Sequence, residues 1–344
     1  MAYTTIDKPT DYFNTITWTG DGTTKDITGV GFQPDLVWAK KRSASGYHAW
    51  CDVVRGGTKT IFSNANIAEE TSAVDWILSF ASDGFGVNSA GNLNQSSATY
   101  VAWNWLASNT TASNTDGSIT STVSANTTSG FSIVSYSGNS IAGSTVGHGL
   151  GVAPKVIIGK TRTLSQNWRV YTSVLGSNKR LILDQTNASE DGGFMNSTDP
   201  TSSVFYLGSD DAYNASGQTH IAYCFAEKKG FSKFGSYTGN GSLDGTFVYT
   251  GFKPAWVMIK RTDSTGSWVI EDSVRSPSNS SMKVLYPNLT NAEETLNPYF
   301  DLLSNGFKIR WTSTFINASS GSYIYIAFAE NPFVTSTGIP ACAR

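Results

Sequence analysis

The sequence predicts an all-β protein built of three tandem antiparallel β-sandwich repeats, jelly-roll or concanavalin-like, of about a hundred residues each. Three observations predict this. A turn with Gly and then Pro three residues on leads into an apolar run and a Lys at residues 31–40, 151–160 and 251–260. The run is β-branched and aromatic and too short for a helix, so it fits a pleated, half-buried strand. Other short runs alternate apolar and polar residues and are punctuated by Gly, Asn and Asp about every 8–12 residues. A β-propeller is the structural alternative, but its blades are less than half this length. A repeat of about a hundred residues can bury its own core, unlike a solenoid unit.

Composition narrows the function classes. Apolar residues are 39% and charged residues 15%, against roughly 25% charged in an average globular domain. Ser, Thr, Asn and Gly fill the gap, giving a neutral surface rich in hydroxyls and amides. With 12% aromatics and a formal charge of −2, the chain has neither a disordered composition nor a basic nucleic-acid footprint. No apolar run approaches the roughly 20 residues of a membrane span. Residues 1–7 lack the basic and apolar regions of a signal peptide. The expectation is a soluble protein, not classically secreted, with no nucleic acid and no membrane insertion.

In order, residues 1–12 form a lead-in with Pro9 and no strong element. The first repeat, 13–107, opens on the alternating run 13–18 and turns at 19–22. Its residues 74–80 and 85–87 flank Ser82-Asp83-Gly84, a strong hairpin signal. Residues 99–105 close it. The Ser/Thr/Asn-rich segment 108–130 reads as a partly ordered linker, because 118–124 alternates and can pair as an edge strand. The second repeat is 131–230 and the third 231–333, with a tail at 334–344. Trp168 and Trp268 fall at one repeat position, where the first repeat has His48. The Lys after each strand (Lys40, Lys160, Lys260) is expected where the strand leaves the core.

The search for chemistry gives no enzyme. Cys51, Cys224 and Cys342 imply no disulfide framework and read as inert thiols. His48, His148 and His220 lack a nucleophile elbow, and His148 reads as a residue of a glycine-rich turn. Glu69-Glu70 and Glu293-Glu294 are the best carboxylate pairs for glycoside hydrolysis, but neighbours on a strand point apart, so they read as solvated loop acids. No metal-ligand spacing occurs, and Asp210, Asp211 and Asn214 match no calcium loop. No cofactor is expected. One loop differs among repeats, the one before the closing strand: 88–94, 209–214 and 310–317. There Asp210, Asp211, Tyr213 and Asn214, and Arg310, Trp311 and Phe315, combine rings with amides and charges. Rings stack on a sugar's C–H face while polar groups take its hydroxyls, so these are the candidate glycan-binding loops.

The repeat is similar to a known group. Phe-Ser-Ile-Val-Ser-Tyr-Ser-Gly at 131–138, Val-Gly-His-Gly-Leu-Gly-Val-Ala-Pro-Lys-Val-Ile-Ile at 146–158, the spaced Trp168 and Ile-Ala-Tyr-Cys-Phe-Ala-Glu at 221–227 carry the likeness. So do residues 116–124 and Glu-Asn-Pro-Phe at 330–333. They resemble the tandem β-modules of tailed-bacteriophage virion proteins, the tail-fibre, appendage or head-decoration proteins of marine phages. The likeness runs from Phe13 to Phe333. The first repeat departs most, with no His-Gly-Leu-Gly turn and no Phe-Ala-Glu. The resemblance implies a virion structural protein, exposed on the particle surface and made in the bacterial cytoplasm. Its partners would be other virion proteins and further copies of itself. The alternative is an adhesin binding host cell-surface polysaccharide; a polysaccharide depolymerase ranks below both.

Overall fold

Alternating side chains and turn-forming residues give short strands, and short strands must pair to satisfy their backbone. The computed structural model describes residues 3–89, 91–295 and 297–340. Cys342 and residues 341–344 of the expected tail therefore lie outside the described residues. The chain is nearly all β, in several antiparallel sheets, with two short α-helical turns at Asp211–Asn214 and Thr314–Asn317. The predicted hairpin joins Ile77–Ala81 to Gly84–Val87. Gly84 is obligatory there, because a Cβ would lie 1.8 Å from the Ile27 carbonyl oxygen.

One pairing order recurs. In the first large sheet Phe13–Thr19 pairs with Thr99–Trp105, then Leu36–Lys41, then His48–Asp52. The same order is Phe131–Ser137, Thr219–Phe225, Val156–Thr161, Arg169–Thr172 in the second, and Ser232–Thr238, Ser322–Pro332, Phe252–Arg261, Val269–Asp272 in the third. Smaller sheets accompany each, such as Lys25–Thr28 with Gly84–Val87 and Ile77–Ala81. We call the stretches 13–105, 131–225 and 232–332 the three units. The segment between the first two is ordered: Ala112–Asn114 and Ser121–Asn126 extend the second sheet beyond Phe131–Ser137. The lead-in is also held, through the Tyr3 hydroxyl on the Gly251 carbonyl (2.6 Å), Thr4 on the Lys229 carbonyl (2.8 Å) and buried Ile6.

The Gly/Pro strands are buried on both faces, which explains their unbroken apolar runs. Val37, Ile157 and Val257 face three separate cores, each built on one unit, the second also taking in Val123 of the strand that extends its sheet and Ala226. Trp38, Ile158 and Met258, one step along, face a fourth core shared by all three units. Trp38, Trp103, Trp105, Trp256 and Phe328 make mutual ring contacts there. Each such side chain contributes roughly 1.5–3 kcal/mol on burial.

The units close a ring through three like seams. Glu69 N–H donates to the Arg162 carbonyl (2.7 Å), Ser189 to Thr262 (2.9 Å) and Glu293 to Arg42 (2.9 Å). The expectation that Lys40, Lys160 and Lys260 mark an exit from the core is corrected here. All three are wholly buried, and each ammonium donates across a seam, to the carbonyls of Thr290 (3.0 Å), Asn66 (3.0 Å) and Thr186 (3.2 Å). Burial pulls Lys40 down to about 7 and the other two to about 8. Glu69 and Glu293 are likewise not solvated. Glu69 takes both Arg162 and Arg55, and Glu293 takes both Arg42 and Arg275.

Trp168 and Trp268 reach across their seams, donating Nε1–H to the carbonyls of Phe62 (2.7 Å) and Ile182 (3.0 Å). His48 meets the corresponding Tyr286 carbonyl at the third seam, yet neither ring nitrogen closes a hydrogen bond of good geometry. Burial first, then Lys40 and Arg275, hold its pKa well below the ordinary value. A base whose folded-state pKa is depressed contributes stability that is lost as pH falls through and below the ordinary histidine range. We predict that His48→Trp, the side chain of the other two seams, raises stability by about 1 kcal/mol. It should also flatten the decline in urea midpoint between pH 7 and 5; an unchanged pH profile would refute this.

Glu271 sits in the third unit's own core, fully buried, with neither carboxyl oxygen hydrogen-bonded. Burial raises its pKa well above the usual range, so it is held as the neutral acid. Its contribution falls as pH rises above the ordinary glutamate value. Glu271→Met should therefore stabilise by about 1–3 kcal/mol, with a gain that grows from pH 5 to pH 8. Thermal unfolding at the two pH values measures it; equal gains would count against it.

Candidate functional site

The two acids of each adjacent carboxylate pair go to different partners. Glu69 turns to the arginines, whereas Glu70 accepts from the Trp76 indole (3.2 Å). Glu293 does the same, while Glu294 accepts from the Tyr286 hydroxyl (2.6 Å). Among the described residues no group of three His, Cys, Asp or Glu side chains is placed to hold a metal. His148 staples its own turn, with Nδ1 accepting from the Leu150 N–H (3.2 Å) and Nε2 beside the Thr201 carbonyl (3.2 Å). His220 stacks on Tyr136, and burial lowers it to about 4. Cys51 and Cys224 are free and buried.

The seven predicted glycan-loop residues divide between two units. Asp210 caps the turn Asp211–Asn214, accepting from Ala212 N–H, and pairs with Arg169 and Arg180. Those arginines, opposing its burial, hold its carboxyl below the usual range. Tyr213 is wholly buried over Gly159, whose Cβ would lie 2.0 Å from the ring. Asn214 is wholly buried too, and its amide ties down the carbonyls of Gly208 (2.7 Å) and Ile141 (3.2 Å). Only Asp211 of this group is exposed. In the third unit Arg310 pairs with Asp301, and Trp311 meets the Tyr299 ring edge-on at 4.8 Å. Phe315 is half-buried and covers Gly266, 3.4 Å from the position of a Cβ. Asn94, Asn214 and Asn317 are one device, each buried and bonding loop carbonyls.

The same loop region of the first unit forms a cleft of about 230 Å³. Its walls include Lys41, Gly46, Tyr47, Glu70, Trp76 and Asn92. Tyr47 is 43% exposed and leans on Phe62, with ring centroids 4.8 Å apart. Phe62 in turn packs on Trp76 at 4.9 Å. Trp76 orients the Glu70 carboxylate, and the Gln95 amide oxygen holds the Lys41 ammonium at 2.7 Å. An exposed ring flanked by a carboxylate, an ammonium and an amide can hold a polyhydroxylated ring, whose C–H face stacks and whose hydroxyls bond.

Sequence reasoning pointed to this loop in all three repeats but passed over Tyr47 and Trp76. They lie about 45 and 16 residues upstream of Asn92 in that loop, beyond the reach of any local pattern. One signal was available. Two residues before the shared asparagine stand Asn92, Ala212 and Phe315, so a ring that fills the place in the third unit is missing in the first.

The model of a family described as a domain of unknown function (DUF7483) matches residues 8–332. The chain belongs to that family. The match spans all three units of this DUF7483 member, including Pro9–Asp11 of the lead-in and the ordered segment between the first two units. No curated protein and no solved structure matches the chain.

Proposed function

We propose that this DUF7483 protein is a non-enzymatic structural protein of a bacteriophage virion. It would serve as a fibre, tail-appendage or head-decoration subunit on the particle surface. In this reading the three units are copies of one jelly-roll or concanavalin-like sandwich. The observation that carries the reading is the closed ring. The chain commits buried lysines, arginines, acids and tryptophans to fixing three β-units against one another, which supplies shape and rigidity. The phage-like motifs support it, and part of them falls at the seams and in the shared core: Trp168 is one seam anchor, and Tyr223 and Phe225 lie in the shared core. Leu243, Phe247 and Tyr249 are 62%, 43% and 54% exposed close together in sequence on the third unit. Apolar side chains so grouped suit contact with a neighbouring virion protein or another copy. Mass spectrometry and cryo-electron microscopy of particles from the source phage test the reading. Stoichiometric density for the three-unit ring supports it, and absence from purified particles overturns it.

A second reading, a host-polysaccharide adhesin, is favoured by the first-unit cleft with its exposed Tyr47. It is compatible with a virion location. Retention on an array of bacterial surface polysaccharides would support it.

A further inference from the structure

We propose that the cleft of the first unit binds a single neutral pyranose, presented by a larger polysaccharide. This rests on the adhesin reading and deepens it by naming the site and the ligand class.

The argument comes from comparing the protein with itself. Gly46 and Gly266 stand at the same place, two residues before His48 and Trp268. In the third unit the space over Gly266 is taken by the six-membered ring of Phe315. In the first unit the residue at that loop position is Asn92, no ring covers Gly46, and only lysine side chains lie over it, the Lys41 Cβ being 3.8 Å from the position of a Cβ, so Gly46 and Lys41 both line the cleft. The fold therefore accommodates a six-membered ring here, and the first unit leaves room for one beside the flexible Lys41 chain.

The surroundings decide what kind of ring. Tyr47 presents an exposed face suited to the C–H side of a sugar. Glu70 accepts hydroxyl protons, while Lys41 donates to hydroxyl oxygens, and the Asn92 amide can do either. Glu70 and Lys41 are already held by the Trp76 indole and the Gln95 amide oxygen, so little side-chain entropy is lost on binding. A carboxylate and an ammonium together on the rim select against both strongly anionic and strongly cationic sugars. At about 230 Å³ the cleft lies below the roughly 300–1,000 Å³ of drug-sized pockets, which suits one sugar ring.

The test uses the full chain. Saturation-transfer NMR is run with methyl glycosides of glucose, galactose, mannose, N-acetylglucosamine and N-acetylgalactosamine, alongside a bacterial polysaccharide array. The expected result is binding of at least one neutral glycoside, weakened about tenfold or more by Tyr47→Ala. Asn92→Phe, which installs the third unit's ring, should abolish binding while leaving the thermal midpoint and circular dichroism unchanged. If the array is retained but neither variant alters binding, the cleft assignment is overturned and the adhesin reading stands. If the wild-type chain binds no saccharide in either format, both are overturned.

Discussion

Asp52→Ala should destabilise the protein by about 3–5 kcal/mol, because it leaves a buried guanidinium without its main counter-charge. Arg55 is fully buried in its side chain and is held by Asp52 and Glu69. Asp52 also accepts from the Arg55 backbone N–H (2.9 Å) and from the Tyr223 hydroxyl of the second unit (2.7 Å), so the substitution leaves three donors without their acceptor at once. The third-to-first seam repeats the device, with Asp272 pairing with Arg275 and accepting from the Trp103 indole (2.9 Å). The second-to-third seam does without it. Thr172 and Leu175 replace the Asp and Arg, and Ile326 replaces the donor ring. The protein thus contains both a polar and an apolar solution to one packing problem. Breaking an ion pair costs far more than replacing it with fitted apolar groups. The triple variant Asp52→Thr, Arg55→Leu, Tyr223→Ile should accordingly recover most of the loss. Urea unfolding of both variants decides the matter. A single variant within about 1 kcal/mol of wild type, or a triple variant no better than the single, would refute the account.

Trp168→Ala should cost a similar amount, about 3–5 kcal/mol, through the cavity left in the shared core and the orphaned Phe62 carbonyl. The indole is wholly buried and touches Trp50 of the first unit at 5.2 Å. Trp168→Phe separates the two contributions. It keeps most of the volume and loses the hydrogen bond, so its cost should be nearer 1–3 kcal/mol. Equal losses for Ala and Phe would show that the hydrogen bond alone matters. Limited proteolysis should show the first cleavages of the Ala variant near 63–70, the loop whose neighbour it removes.

Much of the fold was legible because its signals are local. The alternation at 13–18, the Asp83-Gly84 turn and the thrice-repeated Gly and Pro each depend on residues a few positions apart. The shared position of Trp168, Trp268 and His48 could also be read, and all three stand at seams. The lysines misled, since an amphipathic side chain at a strand end ordinarily reaches water. The glycan loops misled in part, because Tyr213 carries a polar tip yet packs over a glycine more than fifty residues upstream.

The sequence by itself determined that the chain folds as short antiparallel strands and that one plan recurs, because period-two alternation and turn chemistry act within a few residues. The tertiary structure alone decided which faces became seams. Arg42 meets Glu293 across 251 positions and Lys40 meets Thr290 across 250. Whether an acid or a lysine is solvated depends on what the ring brings against it. The same holds for the cleft, which exists because Tyr47, Glu70 and Asn92 converge where the third unit inserts its own ring.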